Sequence, residues 1–171
     1  MSNLVLSKSI SALILIIMSV LISACGFHLR GSTPKANTTL SRLYISESGP
    51  SPVIDELRFQ LETGGATLVN EQNLAQYRLR LDDYNIEQTV LSVSAITGKA
   101  EEYQLQLTVR LTVTDQENNT PINNQLIRIS RDYAFDDTAV LGSVSERDVL
   151  INEMTNLAAT QIVQVLNTLT E

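Results

Sequence analysis

Few side chains in this sequence are suited to covalent or metal chemistry. The chain of 171 residues contains one cysteine, Cys25, and one histidine, His28. A single cysteine excludes an intramolecular disulfide and a cysteine-rich zinc site, and a single histidine excludes a two-histidine metal motif. The sequence has no Gly-x-Ser-x-Gly motif and no glycine loop of the kind that cradles phosphates. We therefore predict no metal, no cofactor and no enzymatic activity.

Adjacent carboxylates are the remaining candidates for acid–base chemistry. They occur at Asp82-Asp83, Glu101-Glu102 and Asp136-Asp137. Neighbouring residues of a strand point to opposite faces, so such pairs make poor catalytic dyads. A lipid-anchored hydrolase is a further alternative. It would need two carboxylates facing one cleft, and the sequence has no set of residues that would activate a nucleophile.

Cys25 ends a segment whose composition differs from that of the rest of the chain. Residues 1–24 contain one charged residue, Lys8, and an apolar run from Ala12 to Ile22. The run fits a secretory signal peptide, whereas a transmembrane anchor would need about 20 apolar residues. The string Leu21-Ile22-Ser23-Ala24-Cys25 resembles the bacterial lipobox, with isoleucine in place of the more usual leucine.

The lipobox resemblance implies cleavage before Cys25 and two modifications of that residue, an S-diacylglycerol and an N-acyl group such as palmitate. Three acyl chains would anchor the protein stably, because each buried CH₂ contributes about 0.8 kcal/mol. Gly26, where aspartate would retain a lipoprotein, implies transport to the outer membrane. We predict a signal peptide over residues 1–24, a lipidated tether over 25–39 and a single domain over 40–171.

Hydrophobic periodicity in this domain predicts two helices and about four strands. Ser51-Pro52 predicts a capped helix start, and Gly64-Gly65 predicts its end. Apolar residues alternate strictly from Tyr103 to Val113, which indicates a half-buried strand. Ser143-x-x-Glu146 predicts a capping box at the start of a long final helix.

Further strands are predicted over residues 40–46, 77–96 and 127–135, with a tight turn at Thr97-Gly98-Lys99. Together these elements predict an α+β fold, a two-layer sandwich in which two helices pack on one face of a roughly four-stranded, mostly antiparallel sheet. The other face is expected to be solvated or to contact a partner.

The formal charge of −7 argues against nucleic acid as a partner. A local basic site for an anionic ligand is still possible, and Lys99 is the first candidate because it lies at a turn tip near the apolar Ile96. Arg131 is the second, because it interrupts the apolar alternation of its strand. It must either pair with a carboxylate of the fold or face a ligand. Arg78, Arg80 and Arg128 are expected to be ordinary solvated charges.

Several segments resemble one family in the same order along the chain. Cys25-Gly-Phe-His-Leu-Arg-Gly31 is similar to the mature start of the LPS-assembly lipoproteins of the LptE (rare lipoprotein B) family. Ala100-Glu-Glu-Tyr-Gln-Leu105 and Arg131-Asp-Tyr-Ala-Phe-Asp136 resemble two strand segments of the family, and the pattern Glu146…Met154…Ala158-x-x-Gln161-Ile162 resembles its final helix.

This resemblance implies an outer-membrane lipoprotein that plugs and helps to assemble the LptD β-barrel, in a 1:1 complex, and binds lipopolysaccharide during its export. It also implies that the domain lies in the barrel lumen on the periplasmic side, with acylated Cys25 in the outer-membrane lipid. Some relatives carry basic residues for lipopolysaccharide around positions 95–98 and 142–144, where this chain has only Lys99 nearby. The alternative is a periplasm-facing outer-membrane lipoprotein that binds another envelope ligand or protein.

Overall fold

The computed structural model describes residues 42–47, 51–135 and 140–170. Within them, two helices pack on one face of a four-stranded sheet, as the periodicity predicts. The strands are β1 (Leu43–Glu47), β2 (Tyr77–Val93), β3 (Ala100–Asp115) and β4 (Ile122–Ala134). The helices are α1 (Pro52–Thr63) and α2 (Val140–Asn167), and short 3₁₀ turns cover Gln72–Leu74 and Thr168–Thr170.

The sheet has the order β1-β2-β3-β4. β2, β3 and β4 are successive antiparallel strands, whereas β1 is parallel to β2. A parallel pair needs a crossover connection, and α1 lies in that connection. Of β2, β1 pairs with Tyr77–Leu81 alone, so the rest of β2 has no strand on that side among the described residues.

The hydrophobic core lies between the helices and one face of the sheet. β3 contributes five buried residues at every second position, which confirms its predicted alternation: Leu105, Leu107, Val109, Leu111 and Val113. Both helices contribute buried residues to the same core, namely Val53, Ile54, Leu57 and Leu61 from α1, and Met154, Ala158, Ala159, Ile162, Val163 and Leu166 from α2. Burial of each large aliphatic side chain stabilises the fold by roughly 1.5–3 kcal/mol.

A β-bulge interrupts β2 between Asp82 and Asn85. Asp83 adopts a positive φ of 55° there, and the extra residues of a bulge re-aim the neighbouring side chains. Tyr84 is thereby half-buried against the core, where burial raises its pKa and a hydrogen bond with Thr155 of α2 opposes that shift. The bulge thus fastens the middle of β2 to the long helix.

The predicted helix caps differ from those in the structure. Ser51 has the extended backbone of an N-cap residue, but its buried hydroxyl has no hydrogen-bond partner, because the Ile54 N–H donates to the Ser51 carbonyl oxygen at 2.9 Å instead. The capping box at Ser143 is wrong. α2 already begins at Val140, so Ser143 lies in its first turn and is buried, whereas a capping serine must precede the helix.

No helix within the described ranges has the length and apolar composition needed to cross a bilayer.

Candidate functional site

Lys99 lies in the turn that joins β2 to β3. The Ser94 N–H donates to the Lys99 carbonyl oxygen at 2.8 Å, and the Gly98 N–H donates to the Ser94 carbonyl oxygen at 2.9 Å. Gly98 has a φ of 70°, a conformation that glycine adopts without the strain of a Cβ atom. The predicted tight turn is therefore present, and it places Lys99 at the end of the longest hairpin of the sheet.

Exposed apolar side chains surround this turn. Ile96 is 95% exposed and Val93 is 58% exposed, and Val90 and Leu91 are each about half exposed. We call Val90, Leu91, Val93, Ile96 and Lys99 the hairpin-end surface. It combines an ammonium group with apolar side chains that the fold does not bury, which is an arrangement suited to an amphipathic anion.

The hairpin-end surface is exposed because the sheet narrows there. β1 ends at Glu47, opposite Leu81, so β2 forms the edge from the bulge onwards. Val90 lies opposite Tyr103, which in turn lies opposite Tyr133. The Tyr103 ring stacks on that of Tyr133 at a centroid distance of 5.7 Å and meets Phe135 edge-on at 5.5 Å. This aromatic cluster closes the core next to the hairpin-end surface.

Arg131 lies on the helix-facing side of β4 and pairs with a carboxylate of α2. Its Nη2 atom is 2.9 Å and its Nε atom 3.2 Å from Oε1 of Glu153, and Nη1 donates to the Ser130 carbonyl oxygen at 3.1 Å. Of the two possibilities for Arg131, an internal carboxylate is thus the one present in the fold. Ligand binding by Arg131 stays a prediction that would require exchange with Glu153.

The other basic residues of the sheet lie on the face that the helices leave open. Arg80 pairs with Asp82 at 2.7 Å, and Arg110 pairs with Asp83 at 3.0 Å. The adjacent carboxylates Asp82 and Asp83 therefore each have an arginine partner, which suits structural ion pairs better than acid–base catalysis. No group of three His, Cys, Asp or Glu side chains within the described part of the chain is placed to hold a metal ion.

Some of the predicted site residues lie outside the described residues. These are Cys25 and His28, together with the signal peptide, the tether and the carboxylate pair at 136–137. Lipidation of Cys25 therefore remains a prediction from the sequence. Sequence reasoning named Ile96 beside Lys99 but missed Val90, Leu91 and Val93, although the run from Val90 to Ile96, which lacks charged residues, is a signal that could have shown them.

A family model described as "LptE: Lipopolysaccharide-assembly" matches residues 40–166. The LPS-assembly lipoprotein LptE of Photorhabdus laumondii is 30% identical over 154 residues, which cover 88% of this chain and 82% of the relative. That of Pectobacterium atrosepticum is 31% identical over 158 residues, which cover 89% and 82% respectively.

Solved structures of bacterial lipoproteins share the fold. Lipoprotein B from Nitrosomonas europaea is 25% identical with a TM-score of 0.72, and the match covers 85% of this chain and 92% of that one. The rare lipoprotein B from Shewanella oneidensis is 27% identical with a TM-score of 0.67, and the match covers 75% and 96%. These sequence relatives and these structural neighbours are thus all bacterial lipoproteins.

Proposed function

This chain belongs to the LptE family of non-enzymatic lipopolysaccharide-assembly lipoproteins, and we propose that it plugs and helps to assemble the LptD β-barrel and binds lipopolysaccharide during its export. In this proposal the lipid anchor on Cys25 lies in the outer membrane. The domain lies in the barrel lumen on the periplasmic side. Family membership supports the role in lipopolysaccharide assembly, and two surfaces of the domain support the contacts with the barrel and with the ligand.

The observation that carries the barrel half of the proposal is the uncovered, mostly polar face of the sheet. Beyond the part of the sheet that β1 joins, side chains that point away from the helices include Glu87 and Thr89 on β2, Gln104, Gln106, Thr108 and Arg110 on β3, and Arg128, Ser130 and Asp132 on β4. The lumen of a large outer-membrane barrel is also polar. When a polar sheet face meets a polar lumen wall, hydrogen bonds to the barrel and to bridging water offset the cost of removing these side chains from bulk water.

The lipopolysaccharide half of the proposal rests on the hairpin-end surface. Lipopolysaccharide combines a sugar–phosphate head with acyl chains, so a binding surface needs a cation beside apolar groups. Lys99 and the nearly fully exposed Ile96 provide both within one turn. The acidic net charge opposes binding at long range, but the interaction with Lys99 acts within a Debye length of about 8 Å at physiological salt.

Photocrosslinking during detergent extraction tests the barrel contact. A photoreactive amino acid at Thr108, on the open face of β3, is expected to crosslink to a large β-barrel protein. The matched control carries the same amino acid at the exposed Asn152 of α2. If the barrel neither crosslinks nor co-purifies with the full chain, the plug function is wrong and the binding of another envelope partner replaces it. Crosslinking only from Asn152 would mean that the open face is not the barrel contact.

A further inference from the structure

A cleft of about 490 Å³ lies on the open face of the sheet, at the opposite end of β2 from the hairpin-end surface. Two rows of side chains cross three strands to form its floor. Tyr44, Arg78 and Thr114 occupy one row, and Ser46, Arg80 and Thr112 occupy the next. We call this site the β1–β3 cleft.

The charge of the β1–β3 cleft is opposite to that of the whole chain. Its lining contains two arginines, Arg78 and Arg80, and no aspartate or glutamate from the described residues. Three acids adjoin the cleft, namely Glu71, which lines the neighbouring recess with Arg78, and Asp82 and Asp115. Asp82 pairs with Arg80 along the strand, and both oxygens of the Asp115 carboxylate accept hydrogen bonds from Asn119. An anion entering the cleft would therefore meet the Arg78 guanidinium first, and it must displace Asp82 to reach that of Arg80.

Arg78 is held in position while most of its donors remain available. Its Nη2 atom donates to the Asn118 side-chain oxygen at 2.7 Å and to the Asp115 carbonyl oxygen at 2.8 Å. These two bonds use one of the three guanidinium nitrogens, so the N–H groups on Nε and Nη1 have no partner within the described residues. A guanidinium that is already oriented loses less entropy when it binds an anion.

The remaining lining favours a hydroxylated ligand over a peptide. The cleft is bordered by hydroxyl and amide side chains, among them Ser46, Thr112, Thr114, Thr120 and Asn123. Leu79, its one aliphatic residue, is itself buried in the core. An acidic peptide would find no apolar recess for its other side chains, whereas sugar hydroxyls both donate and accept hydrogen bonds and match this lining.

We propose that the β1–β3 cleft binds a phosphorylated saccharide, whose phosphate accepts hydrogen bonds from Arg78 and Arg80 and whose hydroxyl groups bond to the polar rim. The natural source of such a group, the sugar–phosphate head of lipopolysaccharide, rests on the proposed function. The cleft would then be a second, lipid-independent contact at the opposite end of the sheet from Lys99. Arg80 can exchange its ion pair with Asp82 for the ligand, because its side chain is 58% exposed and solvent screens the pair.

The test uses the full lipidated chain in detergent with glucose monophosphate as probe, followed by saturation-transfer and phosphorus NMR of the probe. Binding is expected for glucose monophosphate and is expected to be about tenfold weaker for inorganic phosphate and for glucose alone, because each lacks half of the contacts. Equal affinity for inorganic phosphate would refute the proposal, because it would mean that the sugar hydroxyl groups add no contact. Tighter binding of a tetraglutamate peptide, or no binding of glucose monophosphate, would overturn it.

Two variants locate the site. Arg80→Gln is expected to weaken probe binding about tenfold without unfolding the protein, since Arg80 is 58% exposed. Arg78→Gln should weaken probe binding at least as much. The melting temperature of this variant shows whether the turn that Arg78 holds is lost. Arg128→Gln, on the same open face but outside the cleft, is the matched control. Equal loss in Arg128→Gln would mean that the face attracts anions without a site. Failure of all probe binding with intact barrel crosslinking would refute the cleft and leave the plug function standing.

Discussion

Arg131 of β4 and Glu153 of α2 form an ion pair, with Nη2 of the arginine 2.9 Å from Oε1 of the glutamate. The pair joins the last strand to the long helix at the row of Leu105, next to the row of the aromatic cluster. Both side chains are more than a third exposed, so solvent screens the pair and its contribution to stability is at most about 1 kcal/mol. Arg131 can therefore be substituted without unfolding the protein, so its structural role and a role in ligand binding can be measured separately.

Arg131→Gln and Glu153→Gln are predicted to lower the free energy of unfolding by similar amounts of under about 1 kcal/mol, with the double variant close to either single one. Chemical unfolding of the four proteins measures this coupling. Lipopolysaccharide affinity distinguishes the roles. If Arg131 also binds the ligand, Arg131→Gln weakens binding while Glu153→Gln, which releases the guanidinium, does not. Unchanged affinity in both variants would leave Arg131 with a structural role only.

Lys99→Glu is predicted to weaken lipopolysaccharide binding while the melting temperature and barrel association stay unchanged. Lys99 is exposed, and the backbone hydrogen bonds of Ser94 and Gly98 close the turn, so the turn is expected to persist when the charge of Lys99 is reversed. A direct binding assay on the purified protein measures the effect. Arg128→Glu is the control of equal charge on another surface. Unchanged affinity in Lys99→Glu would refute the assignment, and a fall in melting temperature alongside lost binding would mean that Lys99 supports the turn.

Cys25→Ala is predicted to abolish lipidation, because Cys25 is the only cysteine of the chain. Mass spectrometry of the N-terminal peptide checks this, and acyl mass on the variant would contradict it. A form secreted with a cleavable signal and no acyl chains is expected to keep part of its barrel association, since the protein interface and the anchor contribute separately. Complete loss of the barrel from this form would mean that the anchor is indispensable.

Leu107→Ala is predicted to lower the free energy of unfolding by about 2–5 kcal/mol, because Leu107 is fully buried in the middle of β3 and its truncation leaves a cavity. Ile96→Ala is the matched control. Ile96 is 95% exposed, so its loss should change stability by less than about 0.5 kcal/mol and instead weaken ligand binding at the hairpin-end surface. A large loss of stability in Ile96→Ala would show that the hairpin end is packed in solution.

Protonation of the Asp115 carboxylate is predicted to lower the free energy of unfolding in acid. Hydrogen bonds from Asn119 are the main cause that lowers the pKa of Asp115 below its ordinary value of 3.8, and Arg78 adds a smaller effect. A lowered pKa in the folded state contributes stability above the unfolded value, and this contribution is lost as the pH falls through the folded value. Asp115→Asn should therefore show a shallower loss of melting temperature below a pH of about 4. An identical acid profile in both proteins would refute this contribution.

The local elements of this protein are readable from its sequence because their signals are local. Six apolar residues at every second position from Tyr103 to Val113 leave one possible element, a strand with one buried face. Ser51-Pro52 and Gly64-Gly65 bracket α1 within a residue of its observed ends, since proline and glycine act through their own backbone restrictions. The break in the apolar alternation at Arg131 likewise indicated a charged side chain that needs a partner.

The tertiary structure alone decided which groups meet. That Glu153 is the partner of Arg131 depends on how α2 lies across β4, which no spacing in the sequence encodes. The prediction of a capping box at Ser143 was wrong because the same residue types occur at a helix cap and inside a helix. Only the position at which the helix begins distinguishes the two cases. The β1–β3 cleft combines residues from all four strands, from the 3₁₀ turn before β2 and from the turn after β3. The strand register and the parallel pairing of β1 with β2 bring the two arginines of the cleft next to its hydroxyl side chains. Both depend on contacts between residues that are far apart in the sequence.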